Sequence, residues 1–125
     1  MSEPERPKRI FHIALAQEWS KALENGAYTT GSLETEGFIH FSTGRQLLRT
    51  ANKFYHGNRN VVLLLIDPKL LAAKLRYEPI EDGQEFPHLY GALNLDAVTE
   101  VLVFAPESDG DFVWPAGLPK NEDEL

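Results

Sequence analysis

Cysteine is absent from this 125-residue chain. Disulfide scaffolds, thiolate zinc sites and a catalytic thiol are therefore excluded. No apolar run approaches the roughly 20 residues that a membrane-spanning helix needs, and the first residues, with Glu3, Pro4, Glu5 and Pro7, lack the apolar segment of a signal peptide. A cytoplasmic protein with no membrane partner is expected. Basic residues are few, 12 against 19 acidic, for a net charge of −7. That balance disfavours an extended nucleic-acid surface and leaves room only for a small local basic site. Glycine-rich phosphate loops of the Walker and Rossmann kinds are missing, and so is a GxSxG nucleophile elbow.

What is present fits one domain with a core large enough to fold without a staple. Residues 1–8 read as a loose arm, 9–105 as a single α+β domain, and 106–125 as an acidic tail, partly docked through Phe112, Val113 and Trp114. In the strand from Arg9 to Ala14, Ile10, His12 and Ala14 share one face, with Phe11 and Ile13 on the other. A helix from Ala16 to Glu24 carries Trp19, Ala22 and Leu23 at helical spacing and stops at Gly26. The polar run from Thr29 to Gly37 reads as a loop with one helical turn. A second helix begins at Thr43 or Gly44, carries an apolar stripe of Leu47, Leu48, Ala51, Phe54 and Tyr55, and ends at His56-Gly57-Asn58. Val61 to Ile66 is apolar enough for a strand buried on both faces, closed by Asp67-Pro68. Three further extended segments follow: Leu75–Ile80, Phe86–Gly91 and Val98–Phe104. Five or six strands with two main helices, in no strict β-α alternation, predict an α+β domain with a mixed or split small sheet.

Chemistry concentrates in three histidines, His12, His40 and His88, each in a strand-like segment flanked by bulky apolar residues. The stretch from Gly37 to Thr43 ends in three capable side chains, with His40 and Ser42 on one strand face. A zinc site is weighed and set aside, because spacings of 28 and 48 residues match no short-range ligand motif. Ser42 is read as a binding hydroxyl, and His56 as a partner for a helix C-terminus. His88 and Tyr90 share a face, as do Arg76 and Glu78. Arg45, Arg49, Lys53 and Arg59 form a basic stripe, read first as a solvated face.

Phe11-His12-Ile13 before a Trp19 helix, the block Glu36-Gly37-Phe38-Ile39-His40-Phe41-Ser42-Thr43, Phe54-Tyr55, Tyr77-Glu78 and Phe86-Pro87-His88-Leu89-Tyr90-Gly91 together resemble the bacterial domain-of-unknown-function family 952. That family is similar in turn to the ADP-ribosyltransferase-like fold, which includes RNA 2′-phosphotransferases and enzymes that split NAD. The resemblance implies an NAD-utilising or nucleotide-directed transferase, or else a non-catalytic module binding a nucleotide or an ADP-ribose-like ligand. It implies NAD as a substrate, with no tightly bound cofactor. His12 would stand against the ribose or phosphate, and His40 with Ser42 and Thr43 would support the nicotinamide ribose. Glu78 and His88 compete for the third motif. Tyr90 would stack on a flat ring, and Arg45, Arg49 or Arg76 would meet the phosphates. The expectation follows that His12, His40 or Ser42, and His88 with Tyr90 border one cleft.

Overall fold

The computed structural model describes residues 6–80 and 83–120. Most of the arm expected over residues 1–8, two residues of the turn after Ile80 and the last five residues of the tail lie outside that range. Among the described residues, eight strands and three α-helices run in the order β1 (Ile10–Leu15), α1 (Ala16–Asn25), β2 (Ala27–Tyr28), α2 (Gly31–Thr35), β3 (Ile39–His40), α3 (Gly44–Phe54), β4 (Val61–Ile66), β5 (Lys74–Pro79), β6 (Glu85–Tyr90), β7 (Leu93–Asn94) and β8 (Val98–Val103). The result is a small mixed α+β domain. Its sheet is split, and every pairing among the described residues is antiparallel, so the mixed-sheet half of the expectation is corrected.

The first sheet has the order β1-β4-β8, and the second β3-β6-β5. Central β4 is apolar throughout because both of its faces are covered. One face of the first sheet, with Ile10, Ala14, Leu64 and Ile66, packs on Trp19 and Ala22 of α1 and on Ile39 and Leu89 of the second sheet. The other face, with Phe11, Ile13, Leu63 and Leu65, packs on Leu47 and Ala51 of α3 and on Phe104, Phe112 and Leu118. The tail is thus a covering layer. Phe112 meets Phe104 with ring centroids 4.6 Å apart, and Trp114 meets Phe11 edge-on at 5.9 Å. Val113, expected to help in this docking, is exposed.

Helix ends follow local chemistry. Gly26 stops α1 in the left-handed conformation (φ 86°), its N–H on the Ala22 carbonyl at 2.8 Å. Thr43 caps α3, and the Gln46 side chain turns back to accept from the Thr43 N–H at 3.0 Å, forming a capping box. Two stripe assignments are corrected: Leu23 and Phe54 are both more than half exposed, because each lies at the edge of its helix's buried arc. The two-residue strands β2 and β7, paired through Tyr28 and Leu93, are too short to leave a periodic pattern.

The join between the sheets positions the site. Ile39 and His40 pair with Leu89 and His88 of β6, and the Phe41 N–H reaches the Pro87 carbonyl at 2.9 Å. At Ser42 the chain leaves the second sheet and exchanges two backbone hydrogen bonds with Phe11 of β1, each 2.8 Å long. The alternation expected through Thr43 therefore ends one residue after His40.

Candidate functional site

In the second sheet, Ile39, Leu89 and Leu75 point into the core. Alternation places His40, His88, Glu78, Tyr90 and Arg76 on the opposite face. His40 and His88 are direct cross-strand partners, their rings edge-to-face with centroids 5.3 Å apart. Phe38 stacks on His88 at 4.1 Å and 14°.

Each of these histidines is held by a glutamate. His88 Nδ1–H donates to Glu78 Oε1 at 2.9 Å, and the Tyr90 hydroxyl donates to the same oxygen. Those two hydrogen bonds, Tyr90's first and His88's second, lower the Glu78 pKa below the usual carboxylate value, with Arg76 adding to the effect. The same bond raises the Tyr90 pKa. His40 Nε2–H donates to Glu36 Oε2 at 2.9 Å at the protein surface. His88 is buried, and its Nε2 has no hydrogen-bond partner among the described residues.

His12 is used differently. Its Nδ1 lies 2.6 Å from the His40 carbonyl oxygen and its Nε2 2.8 Å from the Tyr28 hydroxyl. A carbonyl only accepts, so Nδ1 carries the hydrogen and Nε2 accepts from Tyr28. Burial pulls the His12 pKa down to about 4 and pushes the Tyr28 pKa well above the ordinary phenol range. Near neutral pH the pair is an uncharged pin joining β1, β2 and β3.

A cleft of about 640 Å³ opens between the two sheets and α3. It takes in His12, His40, Ser42 and His88, the convergence expected of the histidines. Arg49, Thr50, Lys53, Phe54 and Tyr55 of α3 form one wall, with Glu18, Tyr28, Thr30, Ser32, Phe41, Ile80 and Phe86 also on its lining. Ser42 is buried and donates to Thr50 Oγ1 at 3.2 Å.

Other candidates do not line the cleft. Thr43 is occupied in the α3 cap, and Arg45 is exposed on that helix. Glu78 and Tyr90 stand behind His88, and the Arg76 guanidinium lies 5.6 Å from the Tyr90 ring. Glu78 and His88, rivals for one role in the sequence, are one hydrogen-bonded unit. Among the described residues no three His, Cys, Asp or Glu side chains cluster to hold a metal ion. No helix there is long and apolar enough to cross a membrane.

Tyr28, Glu36, Thr50, Phe54 and Phe86 were missed as site residues. Glu36 carried a usable signal, four residues before His40, and Phe86 stands two before His88 on the same strand face. Arg49 and Lys53 are one helical turn apart and so share the wall, which the i, i+4 spacing allows one to read. Tyr28 has no local signal, since its partner is 16 residues away.

The family model described as "Protein of unknown function (DUF952)" matches residues 13–101. The crystal structure of protein CC0527 from Caulobacter crescentus is similar, with 33% sequence identity and a TM-score of 0.78, covering 84% of this chain and 93% of that one. The solution NMR structure of the same protein is 33% identical with a TM-score of 0.74, covering 83% and 90%. No curated protein matches the chain.

Proposed function

The chain belongs to the DUF952 family, and from the contents of its cleft we propose that it binds a nucleotide and acts as an NAD-utilising or nucleotide-directed transferase with an ADP-ribosyltransferase-like fold. The observation that carries this reading is the make-up of one cavity. Arg49 and Lys53 lie on the same wall as Phe54 and Tyr55, with His40, His88, Ser42 and Phe86 also on the lining. Cations suit phosphates, flat apolar walls suit a base or a nicotinamide ring, and hydroxyl and imidazole groups suit a ribose. In a protein of net charge −7, two cations one turn apart at a cleft supply the local positive field that an anionic ligand needs.

The split sheet, joined where Ser42 bridges Phe11, supports the proposed fold relationship. It places the β1 histidine beside the β3 histidine. On this reading His12 is a positioning residue that sets the backbone of His40, and Glu78 with His88 together fill the third-motif role. An oxocarbenium-like transition state would be met by fixed groups that orient the sugar and exclude water, not by a strong nucleophile.

A second reading, a non-catalytic module binding a nucleotide or an ADP-ribose-like ligand, draws on a specific observation. Both nitrogens of His12 are spent inside the fold, which removes one histidine from direct chemistry.

Melting curves with NAD, ADP-ribose and an RNA ending in a 2′-phosphate separate these readings. Ligand binding raises Tm by mass action, and salt should weaken the rise. Nicotinamide or phosphate release in the same incubation marks the transferase, and a shift without release marks the module. If none of the three ligands moves Tm at millimolar concentration, both readings are wrong.

A further inference from the structure

Glu18 precedes Trp19, whose ring is buried on the core side of α1. At about 100° per residue, its side chain leaves the flank of the helix's buried arc, where it is half-buried and lines the cleft. Tyr28 of β2 and Tyr55 at the end of α3 line the cleft too. Burial first, and the Glu18 charge next, raise the pKa of each of these tyrosines. A carboxylate felt by hydroxyls on two separate elements is directed into the space between them.

Glu18 is the only carboxylate on that lining, and among the described residues it makes no hydrogen bond or ion pair. The cleft is therefore polarised, with a carboxylate from α1 and the cations Arg49 and Lys53 from α3. Phosphate is drawn to the cations and repelled by Glu18, which leaves the uncharged end of a nucleotide for the Glu18 side. Leu15, one turn before Glu18, and Tyr55 supply apolar surface there for a flat ring. An ionised carboxylate can only accept, so it pairs with a base that presents N–H groups. A half-buried acceptor discriminates, because a ligand lacking the donor leaves it unpaired.

We infer that Glu18 reads the base: an amino group on the ring donates to its carboxylate, so the cleft selects nucleotides whose base carries an amino group. The inference rests on the nucleotide reading of the cleft and adds which end of the ligand lies against α1 and which chemical group is recognised there.

Three pairs of 5′-monophosphates that differ only in one amino group test it by titration calorimetry: adenosine against purine riboside, guanosine against inosine, and cytidine against the riboside of pyrimidin-2-one. At least one amino-bearing nucleotide should bind about tenfold or more tightly than its partner, the value of one hydrogen bond to a charged group. Glu18→Ala removes the acceptor with a good helix former and should bring the two members of that pair to equal affinity. It also removes a repelling charge, so the ratio within the pair is the readout. Should that variant not fold, ¹³C NMR of the unaltered protein supplies the assignment: the Glu18 carboxyl resonance should move more with the amino-bearing nucleotide than with its partner. Equal binding within all three pairs overturns the inference and leaves the nucleotide reading standing. So does selectivity that survives Glu18→Ala or leaves the Glu18 carboxyl unmoved. Binding of none of the six compounds overturns the inference, and if NAD and ADP-ribose are also silent, the nucleotide reading falls with it.

Discussion

His12 donates from Nδ1 to the backbone carbonyl of His40, 2.6 Å away, so one histidine of the cleft holds the strand that carries the next. The bond exists because β3 leaves the second sheet at Ser42 to pair with Phe11, which brings β1 and β3 side by side. Tyr28 completes the arrangement from β2.

This pin predicts a pH dependence. Folding lowers the His12 pKa from 6.5 to about 4, so between those values the unfolded chain binds the extra proton and the folded chain resists it. Stability from this residue is therefore intact above about pH 6.5, falls as the pH drops toward 4, and levels off below. The full loss is on the order of 3 kcal/mol. Urea unfolding of the wild type and of His12→Gln at pH 7.5 and pH 4.5 measures it. The wild type should lose more stability than the variant over that interval, and equal losses would show that His12 is not a buried neutral group.

The tail predicts a second outcome. The Asn52 side chain accepts from the Phe112 N–H at 2.6 Å and donates to the Phe112 carbonyl at 3.2 Å, pairing α3 with the tail as a neighbouring strand would. Asn52→Ala leaves both Phe112 groups without that partner, at about 1–3 kcal/mol. It should lower Tm and speed proteolysis between Pro106 and Leu118. If Tm falls without faster cleavage there, the clamp does not hold the tail.

How much of this was legible in the sequence depended on the distance over which each signal acts. Val61 to Ile66 announced a doubly buried strand, and the start of the second main helix at Thr43 or Gly44 was a signal contained within one turn. Strand alternation put His12 on the correct face and predicted that the histidines would meet. The alternation failed at Ser42, because a strand that changes sheets obeys two registers and local pattern records neither. The same limit hid Tyr28 beneath His12 and Asn52 beneath Phe112, where partners 16 and 60 residues apart are joined only by tertiary packing. Glu78 and His88 looked like alternatives because nothing local shows that β5 and β6 align Arg76 with His88 and leave Glu78 in reach of its ring.

The hydrogen bonds around Glu78 give a third prediction. The largest influence lowering its pKa is the Tyr90 hydroxyl, followed by His88. Tyr90→Phe should raise the carboxyl pKa toward its ordinary value while His88 stays hydrogen-bonded. A ¹³C carboxyl titration followed by NMR reads the shift directly. No change, or a fall, would mean that the Tyr90 bond does not form in solution.

The basic stripe on α3 permits a test in which position, not charge, is the variable. Arg45, Arg49 and Lys53 lie on one helix, but only Arg49 and Lys53 line the cleft. Each substitution to glutamine removes one positive charge, so a general electrostatic effect would weaken an anionic ligand similarly in every case. If the ligand's phosphate sits in the cleft, Arg49→Gln and Lys53→Gln should each weaken binding by roughly three- to tenfold, about the range for one partly exposed charge contact. Arg45→Gln should change it much less. Salt should reduce wild-type affinity more steeply than that of the Arg49/Lys53 double variant, because exposed charge interactions are screened over about 10 Å at 0.1 M. Affinities measured by calorimetry at two salt concentrations decide the matter. Equal losses at all three positions would place the anion outside the cleft.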